Sequence, residues 1–415
     1  MDLLCDTLML EEILLRMKPK PLLRLRATSR RYNALVLNPG FAGRYWPRAG
    51  VFLQPAVEHR QGAPPPSVPR FLAAVPALQA ADHHVPAGLD LAKDGMTIVH
   101  SSAGGLLLCS RRLPTRPAAR YYVFNPVTRQ RRALPKLRGL CYKPQCGLLT
   151  VAGDGARFQV VVIEEWQVED VFLELKIFSS DTGRWRAKNL SLSVSVSRSL
   201  FLPFGHDFGR QPVLGPSGAA YWIQRGYDGD EVAIAFQSPT NSLRIIDLPE
   251  RVVGGGSDRC IIGERPGGGG LRFARADAAA LEVWDSDAME GRAWALAHRV
   301  GIAELLGQSA DDAARRRHHR SVKPVGFHPT DVDVVFLALP SGSGVAAYST
   351  KHGIMDLQCT YNCFAAPADV FPYVHPPYPI QIPAIQNLTL ELPRKRKADD
   401  GTFFETKNGT SSLKR

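Results

Sequence analysis

The chain has 415 residues, a formal net charge of +12 and a hydrophobic fraction of 45%, which allows two or three domains with a sizeable core and excludes a wholly disordered chain. Seven cysteines without regular spacing argue against a disulfide scaffold. No apolar run reaches the length of a membrane span. The first residues lack the basic and apolar regions of a secretory signal, so an intracellular, reduced protein is the expectation.

Residues 4–41 read as three short helices, too small a unit to bury a self-sufficient core. Asp6 or Thr7 is expected to cap the first helix, with Glu11 and Glu12 in its first turn. Its apolar residues are Leu8, Met9, Ile13, Leu14 and Met17, more than one narrow stripe. Pro19 and Pro21 end it, and Pro21 suits the first turn of the next helix, which holds Leu22, Leu23 and Leu25. Thr28 or Ser29 can cap a third helix with Tyr32, Leu35 and Val36 on one side, and Asn38-Pro39-Gly40 forms a turn. So much leucine in so small a unit leaves apolar surface for a partner to cover.

Residues 46–70 read as a linker containing Gly62-Ala63-Pro64-Pro65-Pro66. From 71 to 385 the chain turns to short β-type runs separated by Gly, Pro, Asp and Asn. Tyr121–Phe124, Val160–Ile163, Leu173–Phe178, Leu281–Trp284, Val334–Leu337 and Val345–Tyr348 are such runs, and Ala220–Ile223 and Val232–Phe236 look like paired strands. A unit recurs within them: an apolar strand, a four-residue polar turn, and a second strand. Copies begin at Val123, Ile177, Ala235, Val283 and Ala347. A period of roughly 50 to 60 residues with several strands per unit points to a kelch-like β-propeller. Five copies are traceable, six or seven blades are expected, and the earliest blade is inferred between residues 70 and 120. A β-sandwich is the alternative.

Candidate chemistry is sparse. Cys141, Cys146, Cys359 and Cys363 could meet across a propeller closure and hold zinc, but the spacings are loose and buried strand cysteines are the better reading. His83-His84 and His318-His319 are adjacent pairs, and neighbours on a strand point to opposite faces, which makes a poor chelate. Glu164-Glu165 reads as a strand-end surface. No hydrolase elbow, zinc-protease helix or phosphate-cradling loop occurs; Gly254–Gly256 and Gly267–Gly270 read as loops between strands. The expectation is a non-enzymatic protein with no cofactor and no metal. Trp166, Trp185, Trp222, Trp284 and Trp294 are expected to pack between blades, and the proline-rich Phe371–Pro379 to strap the closing blade.

The tail, residues 386–415, is polar and expected to be disordered. It carries Arg394-Lys395-Arg396-Lys397 after a proline, a pattern that resembles a nuclear import signal read by an acidic import receptor. Nuclear and cytoplasmic residence is the expectation.

Two resemblances gather these elements. Glu12-Ile13-Leu14, Arg16-Met17-Lys18-Pro19, Leu22 to Arg26, Ala27 to Tyr32 and Pro39-Gly40-Phe41 stand in the order and spacing of an F-box, placing that domain in residues 1–45. Cys5, Met17 and Tyr32 replace the family's usual proline, leucine and tryptophan. Tyr122 to Gln130 with Leu134-Pro135, Gly218 to Ile223, and Leu281 to Trp284 resemble the F-box-associated domain common in plant F-box proteins. The resemblance implies a substrate-recognition subunit of a Skp–cullin–F-box ubiquitin ligase. A Skp-type adaptor would then be bound through Leu8, Ile13, Leu14, Met17, Pro19, Leu22, Leu23, Leu25 and Tyr32, and a protein substrate through the propeller. The competing classes are a nuclear nucleic-acid-binding protein, suggested by charge, and a propeller enzyme or sugar-binding module.

Overall fold

A computed structural model describes residues 2–17, 19–38, 41, 49–55, 70–73, 97–111, 120–126, 128–137, 145–151, 154–167, 172–191, 213–215, 217–225, 231–238, 240, 242–249, 260–265, 269–289, 291, 293–307, 322–329, 331–339, 344–359, 367–374 and 382–383. The chain opens with α1 (Asp2–Leu15), α2 (Pro19–Thr28) and α3 (Arg30–Leu37). Asp6 and Thr7 therefore lie inside α1 rather than at its cap: the apolar run extends the helix back to Asp2. Proline placement is as expected. α1 has ended before Pro19, and both prolines fall in the first turn of α2, where a missing N–H costs no helical bond. Ser29 caps α3, its hydroxyl accepting from the Arg31 N–H at 3.2 Å.

Five four-stranded antiparallel sheets follow. The first blade joins β3 (Thr97–Ala103), β4 (Leu106–Arg111), β5 (Arg120–Phe124) and β6 (Arg131–Ala133). The second joins β7 (Gln145–Val151), β8 (Asp154–Gln167), β9 (Phe172–Ser179) and β10 (Arg184–Ser191). The third joins β11 (Val213–Leu214), β12 (Ala219–Arg225), β13 (Glu231–Gln237) and β14 (Ser242–Asp247). The fourth joins β15 (Cys260–Glu264), β16 (Leu271–Ala276), β17 (Ala280–Ser286) and β18 (Ala295–Gly301), with the short α4 (Ile302–Leu305) after it. The fifth joins β19 (Lys323–Phe327), β20 (Val334–Ala338), β21 (Val345–Ser349) and β22 (Ile354–Cys359).

The ring closes through a sixth, three-stranded sheet assembled from both ends of the propeller. Its order is β2 (Arg70–Ala73), β1 (Ala49–Pro55), β23 (Pro367–Val374). First strands touch in succession around the ring: β3 on β7, β7 on β11, β11 on β15, β15 on β19, β19 on β23, and β23 on β3. Two expectations change here. The stretch 46–70 is not simply a linker, because Ala49–Pro55 is the middle strand of the closing sheet. The extra blade is not confined to residues 70–120 either; the first repeat copy belongs to the blade that starts at Thr97, and the extra sheet is split across the chain. Pro372 sits in β23 opposite Val51, on a strand with one hydrogen-bonded neighbour, as proline requires.

The recurring unit in the sequence is the hairpin of third and fourth strands in each four-stranded blade. Its turns at Asn125–Gln130, Ser180–Gly183, Ser238–Asn241 and Thr350–Gly353 connect β5 to β6, β9 to β10, β13 to β14 and β21 to β22. The expected pairing of Ala220–Ile223 with Val232–Phe236 is present, with Trp222 opposite Ile234. Of the glycine-rich stretches, Gly269 and Gly270 turn the chain from β15 to β16 at φ of 89° and 144°, a region closed to most side chains.

Each seam between neighbouring sheets holds its own apolar cluster. Val161, Leu175 and Ile177 of the second blade enclose Trp222 and Phe236 of the third. Phe273 and Ile262 of the fourth meet Tyr221 and Ile246 of the third, with Trp284 and Trp294 packed alongside. Trp185 packs on the seam of blades one and two and donates from Nε1 to the Pro135 carbonyl at 2.9 Å. Of the five tryptophans expected between blades, Trp185, Trp222, Trp284 and Trp294 pack there; the side chain of Trp166 lies outside the described residues. The closing sheet is sealed on both sides, by Phe52 and Tyr373 against Val99 and Leu107, and by Val51 and Val370 against Phe336 and Val345.

Strand direction gives the ring two different faces. First-to-second and third-to-fourth turns share one face and are short. β1 begins at Ala49 opposite Val374, the end of β23, so the chain enters the ring from this tight-turn face. The connections from one four-stranded blade to the next leave from the other face, and among these the ones from β10 to β11 and from α4 to β19 are the longest.

Candidate functional site

The helical unit has a small core of its own. Leu14, Leu22, Val36 and Phe41 are buried together, and Leu10, Leu15, Met17, Leu25, Tyr32 and Leu35 pack against them. Arg26 Nε donates to Asn33 Oδ1 at 2.8 Å, tying α2 to α3. Against that core, Met9 is 61% and Ile13 58% exposed. They lie four residues apart in α1, so they share one face of the helix, one turn above the other. Two large apolar side chains exposed side by side mark a contact surface.

This divides the residues singled out in the sequence. Ile13 faces outward. Leu14 and Leu22 are 1% and 2% exposed and build the unit from within, so they hold the surface rather than form it. Met17, Leu25 and Tyr32 are half-buried against the core. The side chains of Leu8, Pro19 and Leu23 lie outside the described residues, as do Arg394, Lys395, Arg396 and Lys397. Met9, named among the apolar residues of the first helix, is absent from the expected adaptor contacts; its signal is the four-residue spacing to Ile13.

In the ring, one carboxylate is held with unusual completeness. Glu264, at the end of β15, accepts from the Ser217 N–H at 2.8 Å, from the Ser217 hydroxyl, and from the Tyr221 hydroxyl at 2.8 Å. Burial and then the Glu264 charge push the Tyr221 phenol well above its ordinary range. The arrangement ties the third blade to the fourth at the tight-turn face. Gly215 leaves the space it needs, since a Cβ there would overlap the Glu264 carboxyl. Every polar group in this clamp is matched to another, which suits a structural bond.

The remaining candidates do not converge. Cys146 is buried, with its thiol donating to the Tyr121 hydroxyl at 3.2 Å. Cys359 ends β22, and the second and fifth blades are not neighbours, so the two cannot share a metal; Cys141 and Cys363 lie outside the described residues. Both adjacent histidine pairs also lie outside them. Among the described residues no cluster of His, Cys, Asp and Glu is placed to hold a metal ion, and no helix is long and apolar enough to cross a membrane.

A family profile described as "F-box protein At3g26010-like, beta-propeller" matches residues 87–348, and an F-box domain profile matches residues 6–42. The chain belongs to this F-box propeller family. No curated protein matches it. Among solved structures, TolB from Acinetobacter baumannii is similar at 13% identity and a TM-score of 0.36, over 62% of this chain and 54% of that one. A protein from Lactobacillus plantarum is similar at 13% identity and a TM-score of 0.43, over 75% and 82%. A chain of a nidogen/laminin complex is similar at 11% identity and a TM-score of 0.36, over 78% and 97%. This F-box propeller chain spans about half the length of the TolB chain it matches, 54%.

Proposed function

We propose that this chain is the substrate-recognition subunit of a Skp–cullin–F-box ubiquitin ligase. The F-box docks on a Skp-type adaptor, and the propeller holds a protein substrate. The observation that carries the reading is the exposed pair Met9 and Ile13 on a helical unit whose own core is already filled. An apolar groove on the adaptor would cover that pair, as grooves cover the anchors of an amphipathic helix. The receptor then works by proximity: it raises the concentration of substrate lysines around a charged ubiquitin-conjugating enzyme, and the transfer chemistry belongs to other subunits.

The test uses the exposed residues, not the buried ones. Met9→Asp with Ile13→Asp should abolish co-purification of a Skp-type adaptor while circular dichroism and thermal melting stay as in the parent. Adaptor recovery at the parent level would defeat the reading. Leu14→Asp is a poor test because it places a charge in the core and unfolds the unit.

The basic run Arg394-Lys395-Arg396-Lys397 supports residence in the nucleus as well as the cytoplasm. Changing Lys395, Arg396 and Lys397 to alanine should shift a large fluorescent fusion toward the cytoplasm. Equal nuclear accumulation of variant and parent would reduce the run to a solvated charge cluster.

A further inference from the structure

The outer edges of the first and second blades carry a concentration of exposed cations. All three residues of β6, Arg131-Arg132-Ala133, are exposed, and so are Arg129 and Lys136 on either side. On β10, Arg184 and Arg186 are exposed on one face of the strand. Trp185 between them turns to the opposite face and bonds the Pro135 carbonyl. That bond sets the head of β10 beside the residue preceding Lys136, so the two blades present one basic area.

The described arginines of the fourth blade are matched, and so is Arg157 on β8 of the second. Arg157 pairs with Asp181, Arg265 with Asp287, Arg272 with Asp285, and Arg275 and Arg299 both with Glu282. Among the described residues, Arg129, Arg132, Lys136, Arg184 and Arg186 have no such carboxylate. Cations do guard sheet edges against unwanted pairing. A guarding role alone would call for them on every outer strand. Yet the exposed start of β18 is Ala295-Leu296-Ala297, and β22 opens Ile354-Met355-Asp356. The charge is concentrated on two adjacent blades.

β10 is also the outer strand of its sheet, with eight residues paired to β9 and no strand on its other side among the described residues. We propose that this edge takes an acidic, extended segment of a protein substrate, which adds a strand to β10. The proposal rests on the reading of the chain as a substrate receptor. Side chains on one face of a strand repeat at roughly 7 Å, so alternate carboxylates on the added strand would match Arg184 and Arg186. Arg132 and Lys136 meet acidic residues that flank the strand. Main-chain bonds supply affinity and the cations supply selection. A neutral segment gains only the first, and a nucleic-acid strand only the second.

The test measures binding of the full chain to a fluorescent peptide that alternates glutamate and valine. Controls are the same peptide with glutamine for glutamate, the same peptide N-methylated at alternate amides, and an oligothymidine strand. The alternating acidic peptide should bind, and both altered peptides should bind at least about tenfold more weakly. Arg184→Glu with Arg186→Glu should cost a similar factor while the fold and adaptor co-purification are retained. Arg132→Gln with Lys136→Gln offers a milder pair should the first perturb folding, and should weaken binding in the same direction. Unchanged binding in both variants overturns the proposal. Equal binding of the N-methylated peptide leaves charge without strand addition, and tighter binding of oligothymidine makes the area a nucleic-acid face; either overturns it. Adaptor recovery is read separately: a parent that binds adaptor but not the peptide defeats this proposal alone, and one that binds peptide but no adaptor defeats the ligase reading alone.

Discussion

The backbone N–H of Ile382 donates to the Gln130 side-chain oxygen at 3.0 Å, joining positions 252 residues apart. Ile382 is 3% exposed and sits in the apolar seam between the first and second blades. After closing the ring with β23, the chain therefore runs past its own closing sheet and fastens itself to the β5–β6 turn on the tight-turn face.

This fastening should be worth measuring directly. Ile382→Ala removes buried apolar volume and should destabilise the propeller by about 2–4 kcal/mol. Gln130→Ala should cost about 1 kcal/mol, the net worth of one hydrogen bond. Denaturant unfolding of each variant reads both values. An unchanged midpoint for Ile382→Ala would show that the segment does not hold the ring.

Deletions should separate the F-box from the ring at a sharp position. Removing residues 1–45 should leave a folded propeller, because the helical core at Leu14, Leu22, Val36 and Phe41 is separate from the ring's clusters. Removing residues 1–55 takes away β1, the strand that bridges β2 and β23. That chain should lose cooperative melting. A folded ring after the longer deletion would contradict the closing sheet.

The clamp around Glu264 predicts a coupled pair of substitutions. Gly215→Ala alone should destabilise strongly, since its methyl collides with the Glu264 carboxyl. Glu264→Ala alone strands the Ser217 and Tyr221 donors, at a cost of about 1–3 kcal/mol. Together the two should cost less than their sum, because the shortened side chain makes room for the methyl. Strict additivity by thermal unfolding would mean the two sites do not touch.

Burial pushes the His100 imidazole down from 6.5 to about 4. Its Nε2 lies 2.7 Å from the Ser110 hydroxyl, and its ring meets Tyr121 edge-on. A lowered folded value means the unfolded chain takes the proton first. The neutral ring's contribution is whole above pH 6.5 and is lost as pH falls from 6.5 toward 4, by at most about 3 kcal/mol. Stability measured at pH 7 and pH 5 should fall less in His100→Asn than in the parent. Equal pH dependence in both would rule out His100 as the source.

The repeating hairpins were legible because their signal is local. A β-branched or aromatic run, a four-residue turn of Ser, Asp, Asn or Pro, and a second run lie side by side in Ile177 to Leu190. The closing sheet offered no such signal. β2 is only Arg70-Phe71-Leu72-Ala73, and β1 follows a proline and precedes a proline-rich stretch. Its hydrogen-bonding partner β23 lies at the far end of the chain. The F-box was legible as a family pattern, but its two sides were not: α1 is apolar on nearly all faces, so composition alone cannot separate buried Leu14 from exposed Met9 and Ile13. That assignment needed α2 and α3 in place.

The split closing sheet also orders events on the ribosome. α1 to α3 emerge ahead of the ring and carry their own core, so they can fold before it. β1 and β2 emerge next, yet β1 cannot complete its sheet until Pro367–Val374 has been made. A chain that terminates prematurely anywhere in between keeps the helical unit and loses the ring. On the proposed ligase reading, such truncated products would occupy adaptors without delivering substrate, and so act against the intact protein rather than merely being absent.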